Sequence, residues 1–202
     1  EIIGTTKRGN GPAYRDKYAR KGMRAVDIPE LEDYVIDLYS ELHDNPSFDE
    51  VKILFEGAQG FGLDIDWGDY PYVTSSHCTV AGALLNGVPH TAIRDVWGVA
   101  KVYETYVGSK LFEGTDPVFA TIREVGEEFG ATTGRPRQVN WLDFDLLNMA
   151  VNVNGVNRLV FNKTDVLETV GRWNLYSGIN MFEFTSGLDM QYWIEEQFKD
   201  KD

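Results

Sequence analysis

The chain has 202 residues, with 32 acidic side chains against 19 basic ones and a formal net charge of −13. That balance argues against nucleic acid and anionic membrane surfaces as general partners, while leaving room for a local basic pocket around a phosphate. Hydrophobic residues at 43% and aromatics at 13% supply enough apolar material for a packed core, which excludes wholesale disorder. The lone cysteine, Cys78, allows no internal disulfide and fits a reducing compartment. No signal peptide, lipidation motif or membrane-spanning apolar run is visible, so the expectation is a cytoplasmic protein. A first residue of Glu1 followed at once by a Gly-rich motif predicts a protein that extends further N-terminally.

Taken in order, residues 4–22 (GTTKRGNGPAYRDKYARKG) form a Gly-rich basic stretch inside an acidic chain, a local inversion that suggests an anion site. Over 29–43, Leu31, Tyr34, Val35, Leu38 and Leu42 fall at helical spacing behind Pro29, predicting an amphipathic helix ended by Asn45-Pro46. Val51–Phe55 reads as a short buried strand that exits into Glu56-Gly57-Ala58-Gln59-Gly60. Residues 92–107, with Val96, Trp97, Val99, Val102 and Tyr103, read as another buried strand. Asp116-Pro117 opens a helix with Phe119, Ile122 and Phe129 inward, and Asp143 caps one that Gly155 terminates. Leu159–Phe161 reads as a strand, Val166–Val170 as a helix, and 188–198 as a helix carrying Met190, Trp193, Ile194 and Phe198. Strands alternating with helices give an α/β class with a mostly parallel central sheet flanked by helices, in a single α/β domain over 1–202.

Four motifs can carry chemistry. Asn162-Lys163-Thr164-Asp165 follows a strand. A carboxylate there can accept both the N1–H and the 2-amino group of guanine, and the lysine stem can cover the base plane. The bland alternative is that Asp165 caps the next helix. In Gly130-Ala131-Thr132-Thr133-Gly134-Arg135-Pro136-Arg137, two forked guanidinium groups share a Gly/Thr loop, suited to carboxylate or phosphate. The alternative is a solvated surface loop. Gln59 can donate to and accept from one base edge, and Thr74, Ser75 and Ser76 offer hydroxyls to a phosphate. Thr5, Thr6, Lys7, Arg8 and Arg20 make up the basic opening. His43, His77 and His90 show neither metal-ligand spacing nor a Ser-His-Asp pattern. A signalling GTPase built on Asn162–Asp165 would need G-x-x-x-x-G-K-[ST] upstream, and these 202 residues contain none.

Five strings, in order, resemble adenylosuccinate synthetase: 4–22, FEGAQGFGLDIDWGDYPYVTSS at 55–76, GVAKVYETYVG at 98–108, GEEFGATTGRPR at 126–137 and NKTDVLE at 162–168. The resemblance implies the P-loop-NTPase-like fold of that family, truncated at both ends. It also implies a two-step ligation. GTP phosphorylates the 6-oxygen of IMP with Mg²⁺ as cofactor, and the amine of L-aspartate then displaces the phosphate to give adenylosuccinate. By the same likeness, Thr6, Arg20, Gln59, Thr74 and Arg135 bind IMP, Arg20 acting in trans in a homodimer and Gln59 positioning the base. Ala131, Thr132, Thr133, Gly134, Arg135 and Arg137 bind aspartate, while Arg137, Lys163, Thr164 and Asp165 bind GTP.

Some family features are missing. The N-terminal phosphate loop with its general base and Mg²⁺ ligands, the general-acid His and the closing C-terminal Gly-Pro segment are not seen, so the chain alone is expected to be inactive. Only 32 residues (23–54) separate Gly22 from Phe55, as in compact archaeal and viral members. His77-Cys78, Asn10 and Gln138-Val139-Asn140 depart from the usual pattern. They leave open a phage-type enzyme that joins aspartate to dGMP with ATP or GTP, and also a purine-binding or dimerisation fragment without catalysis.

Overall fold

The computed structural model of the chain describes residues 3–44, 51–131 and 133–199. Its contacts fall into two units, Lys7–Arg94 and the combination of Glu1–Thr6 with Asp95–Asp202. Among the described residues no helix is long and apolar enough to cross a membrane.

The Lys7–Arg94 unit contains helix α1 (Asn10–Tyr18), the short helix α2 (Ala81–Leu85) and several 3₁₀ turns. It departs from the local signals in two places. The expected helix over 29–43 is a 3₁₀ segment at Pro29–Tyr34 and a π-helical turn at Ser40–Asp44. Among the described residues its apolar stripe is largely uncovered: Tyr34 is 82% exposed, Leu31, Val35 and Leu38 are exposed too, and Leu42 alone of the five is half-buried. A short helix draws most of its stability from packing, so periodicity without a covering surface does not make one. The expected strand Val51–Phe55 pairs with no strand among the described residues, and Leu54 is 87% exposed. Helix α1 lies where only a basic stretch was expected, and Asn45-Pro46 falls outside the described residues.

The other unit carries the sheets and the core. Strands β1 (Trp97–Lys101) and β4 (Arg158–Asn162) pair in parallel, with Val99 opposite Val160. A second sheet runs in the order β2 (Tyr103–Tyr106), β3 (Gln138–Asp143), β5 (Trp173–Ser177) and β6 (Asn180–Phe184). Here β3 and β5 are parallel, and the flanking pairs β2–β3 and β5–β6 are antiparallel. The stretch expected as one strand over 92–107 is thus two strands in two sheets, parted at Val102, whose N–H bonds the Asn162 carbonyl. Helices α3 (Val118–Val125), α4 (Phe144–Asn154), α5 (Thr164–Val170) and α6 (Gly187–Lys199) complete an α/β unit.

The helix boundaries follow local chemistry. Asp143 Oδ1 accepts the N–H groups of Asp145 and Leu146 at the start of α4, and Gly155 ends it at φ 61°. Asp116 Oδ1 accepts the Val118 N–H at the start of α3 and Oδ2 meets Arg172 Nη1 at 2.8 Å. Phe119 and Ile122 turn inward from α3 onto Trp141 and Val139 of β3, while Leu175 of β5 is fully buried at the sheet's centre. On the other side Trp193 of α6 meets the rings of Phe144, Phe182 and Phe184.

Candidate functional site

In the Asp95–Asp202 unit the Gly/Thr/Arg loop hangs from a tight hairpin. Phe129 bridges to Pro136, the Gly130 N–H bonds the Arg135 carbonyl at 2.8 Å, and the Arg137 N–H bonds the Glu128 carbonyl at 2.9 Å. Gly134 makes the turn at φ +64°, a conformation that costs an L side chain energy. Ala131, Thr133 and Gly134 are exposed at the tip, and Thr132 lies outside the described residues. Arg135 is half-buried; its Nη2 donates to the Gly4 carbonyl at 2.9 Å. That bond ties the loop to a residue 131 positions away and two before the exposed Thr6. Among the described residues, Arg135 Nε is buried without a hydrogen-bond partner, a donor on a cation.

Below the hairpin sits Glu128, 1% exposed. Both its carboxylate oxygens accept from Lys101 Nζ at 2.8 Å, Oε1 also from Tyr103 Oη at 2.7 Å, and Oε2 also from Arg137 Nη1 at 2.6 Å. Burial pushes this carboxyl up, but the bonds from Lys101, Tyr103 and Arg137 together hold it below the usual glutamate range. Burial also lowers the Lys101 ammonium, with Arg137 and Lys163 repelling it and Glu128 offsetting only part of the fall. The Tyr103 hydroxyl is pushed up by burial and by Glu128. The Arg123 guanidinium braces the same hairpin, donating from Nε to the Arg137 carbonyl and pairing with Glu113.

Lys163, Thr164 and Asp165 stand at the end of β4 and the start of α5. Lys163 adopts φ 62°, and its Nζ donates to the Gly126 carbonyl at 2.8 Å. Asp165 is exposed within the first turn of α5 rather than at its cap, which Lys163 occupies. Thr164 lines a cavity of about 380 Å³ with Glu168, Trp173, Ser186, Gly187 and Met190. Asp165 is not among the residues that line it.

The remaining expected residues belong to the Lys7–Arg94 unit. Arg20 and Gln59 are exposed at φ 60° and 64°. Non-glycine residues rarely hold such backbone angles, and when they do they concentrate at functional positions. Thr74 is half-buried, its N–H bonded to the Leu63 carbonyl at 2.8 Å, and a Cβ on Gly11 in α1 would lie 3.4 Å from Ser75 Oγ. The loop that carries Thr74 is knotted by Asp64, which is fully buried. Asp64 Oδ1 accepts the N–H groups of Asp66 and Trp67, and Oδ2 accepts that of Cys78 at 2.5 Å. Burial pushes the Asp64 carboxyl up, but those three backbone N–H groups outweigh it and hold the carboxyl low. Gly68 closes the knot, since a Cβ there would come within 2.6 Å of the Asp64 and Gly62 carbonyl oxygens.

Asp64, Asp66 and His77 bring one potential ligand atom each within 4.8 Å of one another. With both Asp64 oxygens already committed to backbone N–H groups and an imidazole as third donor, this set does not suit Mg²⁺, which demands near-octahedral oxygen ligation.

Sequence reasoning singled out Arg135, Arg137 and Asn162–Asp165 but missed Lys101, Tyr103, Glu128 and Arg123, whose meaning lies in contacts between distant segments. It also missed Glu104 on β2. Burial pushes the Glu104 carboxyl up to about 7, the Asp143 carboxylate adding to the rise while the Asp143 N–H and Lys110 pull the other way. A carboxyl raised in the folded state favours folding while protonated. Its contribution is therefore full below about 4.5, the usual glutamate value, and is lost as pH rises to about 7. Glu104→Gln is expected to be neutral at pH 4.5 and to raise stability at pH 8 by about 1–2 kcal/mol, allowing for partial solvent access. Urea melts at the two pH values check this, and equal shifts at both would refute it.

With this geometry in hand, comparison with known proteins identifies the family. Residues 28–178 match the family model of adenylosuccinate synthetase. An adenylosuccinate synthetase of Xanthomonas oryzae pv. oryzae is 42% identical over 214 residues, an alignment covering 83% of this chain and 50% of that protein. One from Moorella thermoacetica is 39% identical over 82% of this chain and 49% of its own length. Among solved structures, the fully ligated adenylosuccinate synthetase of Plasmodium falciparum superposes with a TM-score of 0.78 at 33% identity, over 86% of this chain and 50% of that one. The succinoaminodeoxyadenylate synthetase of cyanophage S-2L, bound to dGMP and dATP, shares the fold with a TM-score of 0.66 at 21% identity, over 98% of this chain and 66% of that one. The chain spans about half the length of the curated relatives it matches. With the family model covering its middle three-quarters and the Arg135–Arg137 hairpin and the Lys163–Asp165 turn on its sheet unit, the chain belongs to the adenylosuccinate synthetase family.

Proposed function

We propose that this chain supplies the aspartate and phosphate-donor subsites of a ligase that joins L-aspartate to IMP at the expense of GTP. The observation that carries the reading is Arg135, with one guanidinium nitrogen on the Gly4 carbonyl and its Nε buried without a partner among the described residues. A buried donor on a cation calls for an anionic acceptor, and a carboxylate of aspartate matches the guanidinium fork. In this reading Ala131, Thr132, Thr133, Gly134, Arg135 and Arg137 receive the amino acid. Thr6, Arg20, Gln59 and Thr74 serve the purine monophosphate, Gln59 orienting the base and Arg20 acting across a homodimer. Lys163, Thr164 and Asp165 read the guanine of the donor, and Arg137 faces its phosphates.

The chemistry runs in two steps. The 6-oxygen of IMP takes the γ-phosphoryl group and GDP leaves; the aspartate amine then attacks C6 and phosphate leaves. Mg²⁺ supplies charge neutralisation on the transferring group when bound. The Asp64, Asp66 and His77 set is not assigned to it. The contribution of this chain's own residues is orientation: the hairpin fixes where the carboxylate of aspartate sits, and the amine thereby points at C6.

Two titrations test the proposal. IMP and dGMP are offered in parallel, each with aspartate and with GTP or ATP, and preference for IMP with GTP is expected. Preference for dGMP would move the chain to the phage-type reaction, and no binding of any purine would leave only the fold. Asp165→Asn is expected to weaken GTP by about 1–3 kcal/mol, because one of two paired charge-assisted bonds becomes a mismatch. Unchanged GTP affinity in that variant removes the guanine assignment.

A further inference from the structure

We propose that Glu128 is a positioning residue that aims the Arg137 guanidinium at the donor phosphates, a role that rests on the function proposed above. Arg137 is a long, flexible side chain on a hairpin whose tip is exposed. Left to itself it would sample many rotamers, and ordering it on ligand binding costs affinity. Glu128 removes that freedom in advance. Its own side chain is 1% exposed, and each carboxylate oxygen carries two donors. Backbone bonds reinforce the geometry, since the Arg137 N–H bonds the Glu128 carbonyl while the Glu128 N–H bonds that of Arg123. The side chain and the main chain of Arg137 are therefore both referred to the same residue.

Charge makes the arrangement more than scaffolding. Lys101 and Arg137 both bond Glu128, and Lys163 lies within electrostatic reach of Lys101. Two cations thus bond one carboxylate, and with Lys163 near Lys101 and Asp165 within electrostatic reach of Tyr103 the cluster still keeps a net positive charge, which suits a polyphosphate. Glu128 holds the cations in fixed places without cancelling them. A buried carboxylate bearing two cationic donors does not simply swing away when an anion arrives, because leaving its partners would strand a charge.

The experiment separates aim from charge. Glu128→Gln removes a negative charge, so electrostatics alone predicts tighter GTP binding. Positioning predicts the reverse: binding weaker by tenfold or more. Lys101→Met/Glu128→Gln preserves net charge and removes the Lys101–Glu128 ion pair as a unit, leaving only the 30%-exposed Arg137 without its carboxylate, which guards against a variant that fails to fold. It is expected to show the same tenfold loss, and adding Arg137→Ala to it is expected to cost nothing further. In the unliganded chain, NMR of the Arg137 guanidinium should show hindered rotation that both Glu128 variants release. A guanidinium that stays restrained in the charge-balanced variant overturns the proposal. So does a Glu128 effect on GTP that persists undiminished once Arg137 is alanine. If the wild-type chain binds no GTP, the ligase reading fails, and the unliganded NMR comparison alone decides whether Glu128 orders Arg137.

Discussion

Trp141→Ala is expected to lower the unfolding free energy of the sheet unit by about 3–5 kcal/mol, the range for deleting a buried large aromatic. Trp141 is 2% exposed at the centre of β3. Its ring meets Phe119 of α3 edge-on at 5.2 Å, carries the Arg172 guanidinium at 5.2 Å, and lies opposite Tyr103 on β2. Removing it opens a void between the sheet and α3, strips a cation of its aromatic cover and leaves Phe119 without its partner. The surroundings cannot collapse cheaply, because Tyr103 is anchored by its bond to Glu128 and Arg172 by its bond to Asp116. Tyr192→Ala on α6, where the side chain is 62% exposed, is the control and is expected to shift stability by less than about 0.5 kcal/mol. Urea denaturation followed by circular dichroism measures both. A loss below about 1 kcal/mol for Trp141→Ala would show that the core has been placed wrongly.

The fold was legible where its causes are local. Asp143 and Gly155 bracket α4 because a carboxylate that accepts two N–H groups and a glycine that turns left-handed act within a few residues of themselves. The apolar stripe of 29–43 failed as a guide for the opposite reason. Tyr34 and Leu38 have the helical spacing, but both are exposed among the described residues, and periodicity reports only what a helix could bury. The break at Val102 was invisible because sheet membership is decided by partners at 138–143 and 158–162, far along the chain. The site divides in the same way. Arg135, Arg137 and Asn162–Asp165 announce themselves by side-chain chemistry concentrated in short loops. Glu128 looks like one acid in a Gly-Glu-Glu-Phe run. Only the approach of Lys101, 27 positions earlier, and of Tyr103, 25 positions earlier, makes it the hub beneath the hairpin. The link from Arg135 to Gly4 spans 131 positions and joins two family strings whose proximity no local pattern reveals.

That link sets the second large effect. Under the proposed function, Arg135→Leu is expected to weaken L-aspartate binding by about 2–4 kcal/mol, a loss of roughly thirtyfold to a thousandfold. The change removes the buried Nε that lacks a partner and the Nη2 that fixes the loop to Gly4. A carboxylate arriving there would meet an apolar side chain instead of a fork, and it would pay its desolvation with no return. The fold should tolerate the change. Leucine fills much of the same space, and the hairpin keeps its own bonds between Gly130 and Arg135 and between Arg137 and Glu128, which are made by the main chain. Arg135→Lys discriminates further. It restores the charge without the planar fork, so it should recover only part of the affinity if geometry matters and nearly all of it if charge alone does. Calorimetric titration of aspartate against the three proteins, with a thermal melt of each, reads affinity and folding separately. Wild-type affinity in Arg135→Leu would mean that aspartate is held elsewhere. A melt that collapses with the affinity would recast Arg135 as a strut between the opening segment and the hairpin rather than a ligand for the amino acid.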